Sequence, residues 1–336
     1  MSPRHNPSHQ RSDHAASKGE RRWRLSRFSL VPALLALIGM LAFAYPTAAS
    51  WVSQYNQSKV VADYSSEVDN ADPDAATQIA QAHAYNDALS VGALLEANTH
   101  VPTGAGSADG ADLDYNSVLN ANDSGLMARL RIPSIDLDLP VYHGTSDQTL
   151  LEGLGHLEGT SLPVGGMGTR SVVTGHRGLA DATMFTNLDK MHAGDTFTIE
   201  VMGEVLVYVV RQTQVVAPEE QEALYPQEGR DLVTLVTCTP LGINTHRILV
   251  TAERVIPTPQ EEIDKALQDS GLPHFPWWAV SSGGAVVSVT LCLWRAGWRD
   301  ARLRESQNPA RPAASSGAED LPDAAGDSSL TDELCG

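Results

Sequence analysis

Two long uncharged stretches frame the chain. Between Phe28 and Ser58 there is no Asp, Glu, Lys or Arg, and Leu30 to Ala44 is almost entirely apolar. About 20 such residues in a helix cross the hydrocarbon layer of a bilayer, so the run predicts a membrane span over 28–50. Pro276 to Trp294 is uncharged as well, opens on Trp277 and Trp278 and closes on Trp294. Aromatic residues at both ends suit the two membrane–water boundaries and predict a second span over 276–294. From 51 to 122 the spacing is mainly helical, with an Ala-rich stretch from Ala75 to Asn98 that carries Ile79, Leu89, Val91 and Leu94. Asp72 followed by Pro73 predicts the N-cap and first residue of that helix. Residues 99–114 are Gly, Ala and Asp without period and predict a loop. After Gly125 the texture changes to short runs of β type: Leu130–Ile132, Leu139–Tyr142, Ser171–Thr174, Thr196–Val201, Val205–Val210, Gln214–Val216, Val233–Thr237 and Ile248–Val255. No long helical run separates them, so they predict a closed or nearly closed barrel over 123–256. A connector follows over 257–275. After the second span, residues 295–336 are a basic flank and then an acidic tail rich in Ala, Pro, Ser and Asp, too polar to form a core.

Charge orients this plan. Arg21, Arg22, Arg24 and Arg27 precede the first apolar run, and Arg295, Arg299, Arg302 and Arg304 follow the second. Basic flanks stay in the cytoplasm, so residues 1–27 and the C-terminal tail are expected inside and the barrel outside. Thr47, Ala48, Ala49 and Ser50 also fit a signal-peptide cleavage site, and a retained anchor is the preferred of the two readings. The net charge of −18 comes from the expected outer region, which offers no basic stripe to neutralise phosphates. Nucleic acid is therefore not a partner this composition supports.

The chain has three cysteines. Cys292 falls in the second span, Cys335 in the tail, and Cys238 alone in the outer region, so Cys238 is expected as a free thiol without a disulfide partner. A buried structural cysteine is the ordinary fate of such a residue. Its neighbours argue for chemistry instead. Leu232–Val236 predicts an apolar strand that ends at Cys238, Pro240 and Gly242 break it, and Ile248-Leu249-Val250 resumes the pattern after Arg247. Cys238 and Arg247 thus fall on neighbouring strands near one rim, where the cation favours a thiolate or the oxyanion its attack generates. An acid or base must come from His83, His100, His143, His156, His176, His192, His246 or His274. His176 is preferred, because Gly175-His176-Arg177-Gly178 is a tight turn directly after a strand. His246 adjoins Arg247 on one strand, and adjacent strand residues face opposite sides, so only one of the two can face Cys238.

Five segments in order, Leu139–Gly144, Gly155–Pro163, Val173–Leu179, Thr234–Pro240 and Gly242–Arg247, together resemble the sortases, specifically the class C, pilus-assembling group. The resemblance spans roughly 130–255 and is weaker around Tyr85-Asn86 and Tyr115–Gly125. It implies a mainly β protein, an eight-stranded sortase-type barrel with N-terminal helices and two flanking transmembrane helices. It implies Cys238 as nucleophile, His176 as general acid and base, and Arg247 as the group that holds the substrate carbonyl and its oxyanion, with Thr237, Thr239 and Asn244 beside the substrate. The reaction implied is cleavage of a Leu-Pro-x-Thr-Gly-like sorting signal between Thr and Gly through a thioacyl enzyme, followed by transfer to an amine, in this group usually a pilin lysine. The expected partners are that signal peptide on a pilin or surface protein, the amine and membrane lipid, with no cofactor and no metal. Class C members usually carry an Asp-Pro-aromatic lid between the first helices and the barrel. Residues 99–114 contain neither that tripeptide nor any Phe, Tyr or Trp, and Asp72-Pro73-Asp74 lies upstream of Tyr85-Asn86 without an aromatic. A ring covering Cys238 is therefore not expected. A cell-wall-anchoring sortase, a hydrolytic cysteine peptidase and a non-catalytic surface-protein-binding barrel stay open as alternatives.

Overall fold

The alternating segments close on themselves. In the computed structural model, which describes Trp23 and residues 27–89, 93–94, 103–104, 114–122, 124–268 and 271–307, eight strands form a barrel. They are β1 (Leu126–Ile132), β2 (Leu137–His143), β3 (Leu154–His156), β4 (Thr169–Thr174), β5 (Thr196–Val201), β6 (Glu204–Val216), β7 (Asp231–Thr239) and β8 (His246–Arg254), in the spatial order β8-β6-β5-β1-β2-β3-β4-β7. All neighbours are antiparallel except β2 with β3 and β4 with β7. The expected number of strands is met by a different set. Val205–Val210 and Gln214–Val216 belong to one strand, β6, whose ladder continues through Gln212 and Thr213 opposite Thr251 and Val250. Exposure of Arg211, Gln212 and Thr213 removed the apolar signal there, and the ladder shifts register at Arg211 but resumes on its far side at Val210. β3 went unrecognised because it is three residues long and centred on Gly155. That glycine is required by packing, since a Cβ there would overlap the Gly144 carbonyl oxygen.

Two apolar clusters sit on opposite faces of the wall β4-β7-β8. The main core takes Val173, Val233, Leu235, Ile248 and Val250 from this wall and Phe197, Ile199, Leu206 and Tyr208 from β5 and β6. A smaller cluster on the other face joins Val172, Val236, Leu249 and Val216 to Leu157 and Leu224 from the covering loops. β7 is thus buried on both faces, which explains why Leu232–Val236 reads as a nearly continuous apolar run and not as an alternation.

Helix α1 (Arg27–Asp69) buries Gln57, Val61, Tyr64 and Val68, a stripe of four- and three-residue steps that lies against the barrel. Tyr64 ties the helix to the barrel backbone: its hydroxyl donates to the Met127 carbonyl at 2.9 Å and accepts from the Met202 amide at 3.0 Å. Helix α2 (Ala75–Ala88) is capped by Asp74, whose carboxylate accepts from the Thr77 amide at 3.1 Å. The expected Asp72-Pro73 cap is therefore displaced by two residues, because Asp74 is the acid that reaches the exposed amide of the first turn. The helix also ends earlier than Asn98. Asn86 ties α2 to the loop before β4 by accepting from the Leu162 amide at 2.7 Å and donating to its carbonyl at 3.1 Å. Helix α3 (Asp147–Glu152) links β2 to β3, and α4 (Gln260–Ala266) lies in the segment after β8. Arg129 holds that segment by donating to the carbonyls of Ala266 and Gln268 while paired with Asp138 at 2.7 Å and Glu200 at 3.3 Å. Helix α5 (Trp277–Gln307) follows.

Among the described residues, two helices are long and apolar enough to cross a membrane, Arg27–Asp69 and Trp277–Arg299, with mean hydropathy of 2.1 and 1.3 in their most apolar windows. The chain divides into two compact units, Ile38–Ala285, which holds the barrel, and Met1–Leu37 with Val286–Gly336. Within the second, the Trp23 indole donates to the Trp294 carbonyl at 3.4 Å. Most of the interval 99–114 lies outside the described residues, as does the tail beyond Gln307. Thr103–Gly104 pairs antiparallel with Ala93–Leu94.

Candidate active site

Strand alternation decides which way each candidate faces. On β7, Val233 and Leu235 enter the main core, so Val236 and Cys238 share the other side. On β8, Ile248 and Val250 enter the core, which puts Arg247 and Leu249 on the side of Cys238. Cys238 and Arg247 are direct cross-strand partners, and Val216 of β6 extends the row. The pair stands at the end of its strands on the outer surface of the barrel wall, above the smaller apolar cluster. Both are buried, Cys238 to 8% exposure and Arg247 to 0%. The guanidinium is oriented by the loop between the strands, donating from Nη1 to the carbonyls of Asn244 at 2.9 Å and His246 at 3.1 Å. Asn244 delivers its carbonyl from the left-handed region, at φ 57°, a conformation Asn tolerates better than most residues. Its amide in turn donates to the Pro240 carbonyl at 3.0 Å.

The electrostatics amend one expectation. Burial pushes the Cys238 thiol up, and the charge of Arg247 pulls it down by less, so the net direction is upward. The cation alone does not make a thiolate here, because loss of hydration disfavours the charged form more than one guanidinium restores it. A base beside the sulfur is needed.

The parallel register of β4 and β7 brings one to it. Thr174 pairs with Val236, and the Gly175 amide continues the ladder by donating to the Val236 carbonyl at 3.1 Å. His176 follows Gly175 directly and so stands two residues beyond the Thr174–Val236 pair, as Cys238 does on β7. Gly175 makes the turn possible, since a Cβ there would come within 2.6 Å of Leu154 and 2.8 Å of Phe185. The His176 carbonyl accepts from the Phe185 amide at 2.9 Å, and its ring is half-buried. His246 lies on the other face of β8, exposed, with Nδ1 3.0 Å from the Thr245 hydroxyl.

The remaining histidines stand apart from this cluster. His156 is fully buried with Nδ1 2.9 Å from the Tyr115 hydroxyl, and burial brings its pKa down to about 4. His143 lies with its two ring nitrogens 2.9 and 2.8 Å from the carbonyls of Gly125 and Val118, and burial likewise pushes it down. His83, His192 and His274 are exposed, and His100 lies outside the described residues.

Thr237 and Thr239, expected beside the substrate, bond to the histidine turn. They flank Cys238 and so face away from it, and their hydroxyls serve the His176 turn. Thr237 donates to the Gly175 carbonyl at 2.7 Å, and Thr239 accepts from Arg177 Nη1 at 3.0 Å. Arg177 also pairs with Asp189 at 2.7 Å. Sequence reasoning passed over Arg177, although its place directly after His176 in a tight turn was the available signal.

The sequence matches the sortase domain model over residues 130–255. It is 26% identical over 144 residues to sortase A of Bacillus anthracis, covering 42% of this chain and 67% of that one. Curated relatives of this kind are matched over about half to two thirds of their own length. Among solved structures, sortase C of Streptococcus pneumoniae is 37% identical, with 59% of this chain and 96% of that chain covered and a TM-score of 0.52. Sortase C1 of Streptococcus agalactiae is 38% identical, with 60% and 100% covered and a TM-score of 0.51.

Proposed function

The chain belongs to the sortase family, and from that premise we propose that it is a membrane-anchored transpeptidase. It cleaves a Leu-Pro-x-Thr-Gly-like signal between Thr and Gly and passes the acyl group to an amine, a pilin lysine, to assemble pili. The observation that supports this reading is the cross-strand pair of Arg247 and Cys238 on one outer face of the barrel, with the turn that carries His176 bonded to the Cys238 strand through Gly175 and Thr237. His176 takes the Cys238 proton, and the thiolate attacks the Thr carbonyl carbon. The oxyanion that forms lies toward the Arg247 guanidinium, whose direction is held by the Asn244 and His246 carbonyls. The C–N bond then breaks, the His176 proton leaves on the Gly amine, and a thioester remains on Cys238. The incoming amine attacks it and gives its proton to His176, the new C–N bond forms, and the thiolate is released. Burial of Cys238 over the apolar cluster limits water and so favours the amine as acceptor. The pilin assignment is supported by likeness to sortase C of S. pneumoniae, an enzyme with pilin substrate specificity. Basic residues outside both apolar helices support cytoplasmic termini and an extracellular barrel.

The test is mass spectrometry of the full chain in detergent after incubation with a sorting-signal peptide, alone and with a lysine-bearing pilin peptide. A thioester adduct on Cys238 and an amide product are expected. Free acid as the only product in the presence of the amine would make the enzyme a hydrolase, and no adduct would leave a binding barrel.

A further inference from the structure

His176 lies beyond the end of β4, where the sheet no longer fixes it. Its own carbonyl is held by the Phe185 amide, so past Gly175, whose amide still bonds to β7, the turn leans on the 3₁₀ segment Met184–Lys190. Gly178 leans the same way, its amide donating to the Thr186 hydroxyl at 3.1 Å. The turn therefore bridges this segment and β7. Among the side-chain bonds that tie it to β7 are two made by the threonines that bracket the thiol. One is the short bond from Thr237 to the Gly175 carbonyl. The other is made by Arg177, and its fork has three ends: Nη1 donates to Thr239 at 3.0 Å, Nη2 pairs with Asp189 at 2.7 Å, and Nε donates to the Thr186 carbonyl at 3.3 Å. The Arg177 side chain is only 10% exposed, whereas Asp189 is 45% exposed.

We infer that Arg177 is a positioning residue for the sortase reaction: its guanidinium fixes the His176 turn against the end of the Cys238 strand and so sets the distance over which the proton passes. The inference rests on the function proposed above. A planar guanidinium can serve a hydroxyl, a carboxylate and a carbonyl in three directions at once, and an ammonium on a flexible stem cannot hold all three in one geometry. Proton transfer between sulfur and imidazole depends steeply on their separation, whereas binding of the sorting signal does not depend on it. Loss of the clamp is therefore felt in kcat and in titration of the thiol, with KM left in place. Thr239 enters the same unit as the acceptor on β7. Its part is to receive the clamp, not to contact the peptide.

The experiment compares the full chain in detergent as wild type, Arg177→Lys, Thr239→Val and the double variant, with steady-state turnover of a sorting-signal peptide, the pH profile of Cys238 alkylation by iodoacetamide, and the melting temperature. Arg177→Lys and Thr239→Val are each expected to lower kcat by about tenfold, equivalent to about 1.4 kcal/mol, with KM within about twofold. The double variant is expected to be no worse than Arg177→Lys alone, because both remove one bond. The alkylation profile should shift in both single variants, and this readout needs no substrate. Additive losses, an unmoved alkylation profile, or a raised KM in Thr239→Val each overturn the inference, the last by assigning Thr239 to the substrate. A loss of kcat in Arg177→Lys that disappears once turnover is corrected for the folded fraction overturns it too, by reducing Arg177 to a stabilising role. If the wild-type chain itself neither cleaves the peptide nor forms the adduct, it is the sortase reading that fails.

Discussion

At Cys238 burial and charge oppose each other, and burial is the larger effect. Two consequences are measurable at the scale of single residues. In the ligand-free enzyme, alkylation of Cys238 should be slow at neutral pH and rise through a midpoint above the ordinary thiol value of about 8.5. Arg247→Gln removes a charge that lowers that midpoint, so the profile should move further toward alkaline pH. An unchanged or lowered midpoint would show that Arg247 does not act on the thiol. The second consequence separates the histidines. His176 continues the β4 register toward Cys238, while His246 is exposed on the other face of β8. Peptide turnover should fall by about 10²- to 10⁴-fold in His176→Ala, the range for loss of a general acid and base, and by only a few-fold in His246→Ala. Equal losses would refute the assignment.

Elements place these residues through contacts far apart in sequence. The clearest case is α1, whose Tyr64 hydroxyl bridges the Met127 carbonyl and the Met202 amide inside the barrel's main cluster. Tyr64→Phe leaves both backbone groups buried without that partner, a loss of about 1–3 kcal/mol. The melting temperature should drop by several degrees while kcat of the folded enzyme stays the same, because the bridge is remote from the thiol strand. A loss of kcat larger than the loss of folded protein would tie α1 to catalysis instead. At this scale the sequence was partly legible. The β-branched runs of β1, β2, β4, β5, β7 and β8 stood out because each buries at least one apolar face. β3 was hidden by its length and its Gly155, the join inside β6 by solvent-exposed polar residues, and the start of α2 by two acids, of which only Asp74 reaches the Thr77 amide.

For the whole molecule, the two apolar helices and their basic flanks make a topological statement. In intact cells carrying an epitope tag at each terminus, external protease should degrade the barrel region while both tags stay protected until the membrane is permeabilised. Cleavage of the N-terminal tag by external protease, or release of the barrel into the medium with α1 processed near Ser50, would contradict a retained anchor. The sequence by itself determined what local pattern and composition can encode: the two apolar spans, the change from helical to β texture near Gly125, a thiol outside any disulfide, and a cysteine, an arginine and a histidine at the ends of strands. These are set by hydropathy period and turn chemistry within a few residues of each site. The tertiary structure alone decided the rest. Strand pairing put Arg247 directly across from Cys238, the parallel pairing of β4 and β7 brought the His176 turn to the end of the Cys238 strand, and the closed barrel turned the Cys238–Arg247 pair to the outer face of its wall. The same closure gave Thr237 and Thr239 to the histidine turn and raised the thiol by burial, because facing, register and desolvation depend on neighbours that sequence distance does not reveal.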